Sequence, residues 1–158
     1  MSDIQILPGI NIQWPWSQML LSGQKTVETR SYALPARHKG RPLALIETPG
    51  PLGLKMAGIS KAQIIAIIVF KESFRYTTKK AWAADHERHL VAIDDPIFGY
   101  DSSKPKWGWI VANIHPLTRP APAPDKKGIV FTNNCLVPNQ SIDFKELVIQ
   151  LFGKPAES

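Results

Sequence analysis

Residues 64–70 read Ile-Ile-Ala-Ile-Ile-Val-Phe, seven consecutive apolar side chains of which five are β-branched. β-Branched residues fit a pleated strand better than a helix. A strand sends alternate side chains to opposite faces, so this one needs packing on both sides. The chain must therefore build a sheet that is covered front and back at this strand. The same run is far shorter than the about 20 residues needed to cross a bilayer. The start, MSDIQILPG, has neither the basic residues nor the apolar stretch of a secretory signal. A single cysteine, Cys135, leaves no intramolecular disulfide, and a cytoplasmic setting with no membrane partner is expected. At 158 residues the chain fits one domain, residues 1–158.

The rest of the sequence supplies further strands and a few helices. Strands are expected at Thr26–Arg30, Pro42–Thr48, Ile64–Phe74, Trp107–Ile114 and Gly128–Thr132. A short helix fits Trp14–Ser22: Pro15 suits its first turn, and Gly23 suits its C-terminal cap. Thr78 can cap a second helix running to Leu90, with Trp82, His86 and Leu90 on one side. Ser141 can cap a third, about 142–152, whose stripe is Phe144, Leu147, Val148 and Leu151. The alternating Pro120, Pro122 and Pro124 predict an extended surface connection. Together these predict an α+β domain around a small, mostly antiparallel sheet or barrel.

Composition narrows the partners. A hydrophobic fraction of 44% with 20% charged residues excludes wholesale disorder. Nineteen Lys and Arg against thirteen Asp and Glu leave a formal charge of +6, which favours polyanions such as nucleic acid.

Residues 9–32, GINIQWPWSQMLLSGQKTVETRSY, carry the most specific pattern. Trp14-Pro-Trp16 leads into the first helix, and Gly23-x-Lys25-x-x-Glu28-x-Arg30 follows it. Farther along come the Gly40-Arg41-Pro-Leu turn, Trp107-Gly108-Trp109, and Ile114-x-Pro-Leu-x-x-Pro120. In this register the chain resembles the ASCH (activating signal cointegrator homology) domain of the PUA-like superfamily, over about residues 9–132. The resemblance implies a PUA-like barrel of five to six strands with flanking helices. Its cleft would be lined by the G-x-K-x-x-E-x-R segment. It further implies RNA or modified-nucleotide binding, or hydrolysis of N4-acylated cytidines. Hydrolase-type members use the lysine and a threonine of G-x-K-T-x-T with a downstream glutamate. Here the lysine is Lys25, but Glu28 stands where that threonine would be, flanked by Thr26 and Thr29.

The residues themselves suggest roles. Lys25, after a glycine cap, can reach into a cleft as a phosphate clamp or, if buried, as a base; the alternative is a solvated turn lysine. Strand alternation places Thr26, Glu28 and Arg30 on one face, with Val27 and Thr29 opposite. Glu28 can accept from a cytosine amine, or share proton transfer with Lys25; equally, Glu28 and Arg30 can be a structural ion pair closing the barrel mouth. Trp14, Trp16, Tyr32 and Trp107 are candidate ligand-binding residues, with Trp16 expected to pack inside and Trp14 and Trp107 to approach the cleft as stacking surfaces. Gly108 would let a backbone or ligand approach. Arg37, His38, Lys39 and Arg41 form a basic turn suited to phosphate or simply to solvent. The pairs Lys79-Lys80, Lys104/Lys106 and Lys126-Lys127 extend this basic character. No metal or cofactor is expected. Asp85, His86, Glu87 and His89 lack the H-E-x-x-H spacing and fit an exposed, mixed-charge helix face, and no glycine loop matches a P-loop. Cys135 has no histidine partner that would make it a nucleophile.

Overall fold

The structure is a computed structural model that describes residues 4–125 and 128–138. The expected helix at about 142–152 and the Lys126-Lys127 pair lie outside the described residues. Six strands form one mixed sheet: β1 (Ile4–Gln13), β2 (Val27–Arg30), β3 (Pro42–Thr48), β4 (Gln63–Tyr76), β5 (Lys106–Pro122) and β6 (Phe131–Pro138). Their order is β2-β5-β4-β3-β1-β6. Only β1 and β3 run parallel; the other neighbouring pairs are antiparallel. The helices are α1 (Trp16–Leu21), α2 (Gly50–Ala57), α3 (Lys79–Ala84) and α4 (His86–His89).

The Ile64–Phe70 run is the middle of the sheet, with Ile64, Ile68 and Phe70 fully buried. It divides two apolar layers. Phe70 and Ile68 pack with Ile10, Ile12, Leu45 and Trp109, while Ile64 packs with Ile46, Cys135 and Val137. The expected closed barrel is replaced by a curled, open sheet. No backbone ladder joins β2 to β6 among the described residues. Side chains span the gap instead: Trp109 of β5 stacks on Phe131 of β6 at 6.2 Å, and Arg30 Nη2 of β2 donates to the Asn11 carbonyl of β1 at 3.0 Å.

Several expectations are corrected in detail. β5 runs on through Pro122, so Pro120 and Pro122 belong to a strand and not a loop. The last strand lies at Phe131–Pro138, not Gly128–Thr132. β1 and α2 were not expected. The helix from Thr78 to Leu90 breaks at Asp85, whose backbone leaves helical geometry. Its carboxylate is taken by the Tyr76 hydroxyl and by Arg88. The break rotates the buried face, so His89 and not His86 lies in the core beside Trp82. The exposed mixed-charge face is thus only partly realised.

Gly108 is approached by side chains of the fold itself. A Cβ there would stand 2.6 Å from the Phe74 ring and 2.9 Å from Val27 Cγ1. Overpacking of this kind costs about 1–3 kcal/mol. Gly108→Ala is expected to lose stability on that scale in urea unfolding; an unchanged midpoint would contradict this packing.

Candidate functional site

Where the curled sheet's ends face each other, a cleft of about 520 Å³ opens. This lies within the usual range for small-ligand sites. β2 lends one wall. Glu28 and Arg30, two residues apart, share its inward side, and Thr29, Ser31 and Tyr32 also line the cleft. The opposite wall is the polar side of β1, Asn11 and Gln13, whose intervening Ile10 and Ile12 are buried. Asn11 also ties down the segment before β6, through Nδ2 to the Gly128 carbonyl at 2.7 Å and its own N–H to Val130 at 2.9 Å.

Helix α1 carries Trp16 to the floor. A buried carboxylate fixes that helix: Glu47 of β3 accepts from Ser17 Oγ at 2.7 Å and Gln18 Nε2 at 2.6 Å. Trp16 then meets the Phe98 ring edge-on at 5.6 Å. Gly23 turns the chain at φ +82°, a backbone shape glycine adopts without steric cost. Lys25 follows and is almost wholly buried, at 1% exposure.

Lys25 is the electrostatic centre of the site. Nζ donates to the His89 carbonyl, stands 5.0 Å from the Trp16 ring centroid and 3.8 Å from Glu28 Oε1. Burial pulls its pKa below the usual lysine range, and the Glu28 carboxylate opposes that pull. Glu28 is itself buried, with Oε1 accepting from the Thr29 N–H at 2.9 Å. Arg30 Nη2 lies 3.7 Å from Glu28 Oε2. Lys106 enters from β5, donates to the Phe98 carbonyl at 2.9 Å, and is also lowered by burial. The Tyr32 hydroxyl is buried, with no hydrogen-bond partner among the described residues. An unpartnered buried hydroxyl costs about 1–3 kcal/mol, which a ligand atom can recover.

The structure thus brings together Trp16, Lys25, Glu28, Arg30, Tyr32 and Lys106. It does not bring in three other expected residues. Trp14, like Trp16, is half-buried, yet it lies outside the cleft, against Gly53 of α2. Trp107 packs on the main apolar layer, and Arg41 is exposed beyond the lining. Trp16 both packs on the core, as expected, and lines the cleft, whereas Trp14 does not reach it. Thr26 and Thr29 are exchanged: β2 begins only at Val27, leaving Thr26 exposed while Thr29 lines the cleft.

The basic turn contributes nothing to the lining. His38 is buried against Phe131 at 4.5 Å, with Arg37 beside it, while Lys39 is exposed. Cys135 is buried in β6, and burial raises its thiol pKa. Among the described residues, no three His, Cys, Asp or Glu side chains gather as a metal site. No described helix is long and apolar enough to cross a membrane. Sequence reasoning missed the β1 wall, although Ile10-Asn11-Ile12-Gln13 shows the period-two alternation of a half-buried strand. Phe98 sits in an irregular segment and gave no comparable signal.

Solved structures share this architecture. The ASCH protein from Zymomonas mobilis superposes with a TM-score of 0.55 at 16% identity, covering 73% of this chain and 72% of its own. A tyrosine-to-phenylalanine variant of that protein gives the same score and identity. Its serine-to-alanine variant superposes at 0.59 with 15% identity, over 80% of this chain and 86% of its own. The chain has an ASCH-like fold. No protein-family model and no curated protein matches the sequence.

His89 links the core to this site. Its Nε2 bonds the Trp82 carbonyl at 2.7 Å, its Nδ1 accepts from Val91 N–H at 3.0 Å, and its own carbonyl holds Lys25. Burial lowers its pKa, the Trp82 bond opposes this, and the Lys25 charge adds to it. Between the lowered folded value and about 6.5, the unfolded chain holds a proton that the folded chain does not. Stability is therefore expected to fall as pH drops below about 6.5. His38, lowered by burial as well, adds with the same sign. Urea unfolding at pH 7.5 and 5.5 should show a smaller loss in His89→Gln than in the wild type. An equal loss would remove His89 from this account.

Proposed function

We propose that the ASCH-like cleft binds an unpaired base of RNA. One observation carries the reading: an aromatic face, a buried carboxylate and three cationic side chains converge on one cavity of about 520 Å³. Unpaired bases are recognised by stacking on aromatic rings and by hydrogen bonds to their edges. In this reading Trp16 stacks on the base and Glu28 accepts from an exocyclic amine, as a carboxylate does with cytosine. Lys25 holds Glu28 in place and offers a remaining N–H to a ring carbonyl. Arg30 and Lys106 take phosphate oxygens, and Tyr32 supplies its unused hydroxyl. The formal charge of +6 suits a polyanionic partner.

A second reading rests on the 3.8 Å approach of Lys25 to Glu28 and on the burial that lowers the lysine. Such a pair can move protons during hydrolysis of an N4-acylated cytidine. Water adds to the acyl carbon, the C–N4 bond breaks, N4 takes a proton, and the carboxylic acid leaves. Thr29, in the cleft, is the nearby hydroxyl that could assist; Thr26 is too far outside. No cofactor is required for either reading.

Tryptophan quenching on titration with a cytidine-rich oligoribonucleotide tests the first reading. Glu28→Gln and Tyr32→Phe are each expected to weaken binding about 5–50-fold, the scale of one lost polar contact. The melting temperature of Tyr32→Phe should stay within a few degrees of the wild type, whereas Glu28→Gln, which takes the carboxylate from buried Lys25, is expected to melt lower. Unchanged affinity in both variants would refute the reading. Conversion of N4-acetylcytidine to cytidine by the wild type, absent in Glu28→Gln, would favour hydrolysis instead.

A further inference from the structure

The cleft has a neighbour. A second hollow of about 700 Å³ lies against it, formed by residues 95–106 together with Ser31 and Lys79. Three residues, Ser31, Ile97 and Lys106, line both spaces. Resting on the reading of the first cleft as a base site, we propose that this hollow is a phosphate-and-sugar subsite for the adjoining nucleotide. The ligand is then a single-stranded oligonucleotide and not a free nucleoside.

The charges in the hollow are arranged for this. Lys79, Lys104 and Lys106 line it, together with Asp95 and Asp101. One oxygen of each carboxylate is engaged locally. Asp95 Oδ1 accepts from the Ile97 and Phe98 N–H groups at 2.9 and 2.7 Å. Asp101 Oδ1 accepts from the Ser103 N–H and hydroxyl at 2.9 and 2.7 Å. Lys79 and Lys104 make no ion pair among the described residues. The hollow therefore offers ammonium groups outside any ion pair among the described residues, while one oxygen of each aspartate already serves a turn.

Lys106 stands at the divide. One N–H goes to the Phe98 carbonyl, and an ammonium has three. Its charge feels Glu28 on the cleft side, and Asp95, Asp101 and Lys104 on the other. A bridging phosphate placed there meets a cation shared by both spaces. Tyr100 also lines the outer hollow. A nucleoside alone would fill one space and gain nothing from the second.

The test compares matched ligands: 5′-monophosphates of A, C and U against homohexamers of the same bases. Isothermal titration of the full chain gives both affinities directly. At least one hexamer is expected to bind 10-fold or more tighter than its monophosphate. Lys79→Ala/Lys104→Ala should keep the monophosphate affinity and bring the hexamer within about threefold of it. The salt slope of hexamer binding should fall by about 1.4, from two lost single-strand phosphate contacts. A monophosphate that binds as tightly as its hexamer would overturn the subsite. So would a double variant that keeps the full gain. Binding of neither ligand type would refute the base-site reading itself, and the subsite with it.

Discussion

The cleft exists because the sheet curls until its two ends face each other without pairing. Trp109 sits at the centre of that curl. It is fully buried, edge-on to Phe70 at 5.4 Å and to Tyr32 at 5.7 Å, and stacked on Phe131 at 6.2 Å. Its indole N–H donates to the Tyr32 carbonyl at 3.0 Å, and Arg30 lies 5.8 Å from its ring centroid. One side chain thus links four strands or their extensions, from β2 to β6. A closed ladder would occupy the gap with backbone hydrogen bonds. Closing it with side chains leaves polar groups of β1 and β2 facing open space.

Electrostatics then sets the character of that space. Burial of Lys25 is costly for a charge, and it is offset by the His89 carbonyl, the Trp16 ring and Glu28. Glu28 is held in turn by the Thr29 N–H, with Arg30 nearby. The alternating charges of Lys25, Glu28 and Arg30 form one unit, so the structural and ligand-facing roles of these residues are not exclusive. The tie from Arg30 to Asn11 belongs to the fold, whereas the buried Tyr32 hydroxyl has no hydrogen-bond partner among the described residues.

Much of this was legible in the sequence. The Ile64–Phe70 run required a strand packed on both faces, and Pro42–Thr48 shows the same strand signal at the boundaries expected. Lys25, Glu28 and Arg30 could be grouped because a turn and a period-two strand fix their relative directions. Barrel closure could not be read, since it depends on how far β4 and β5 bend. Their pairing shifts register at Ile64/Ala66, Val69/Phe70 and Phe70/Glu72, and such bulges add local bend and twist. The choice between Trp14 and Trp16 turned on a partner, Phe98, about 80 residues away. His89 replaced His86 because Asp85 left the helix for Tyr76 and Arg88, a tertiary contact that overrides local periodicity.

The central claim is that the ligand enters where the sheet's ends face each other. Amide chemical-shift mapping of the ¹⁵N-labelled chain with a cytidine-rich oligoribonucleotide tests it most directly. Shifts concentrated at Asn11–Gln13, Trp16 and Thr29–Tyr32, with Phe98 and Lys106 among them, are the predicted result. Shifts confined to the basic turn at Arg37–Arg41, leaving the cleft amides unmoved, would contradict the account.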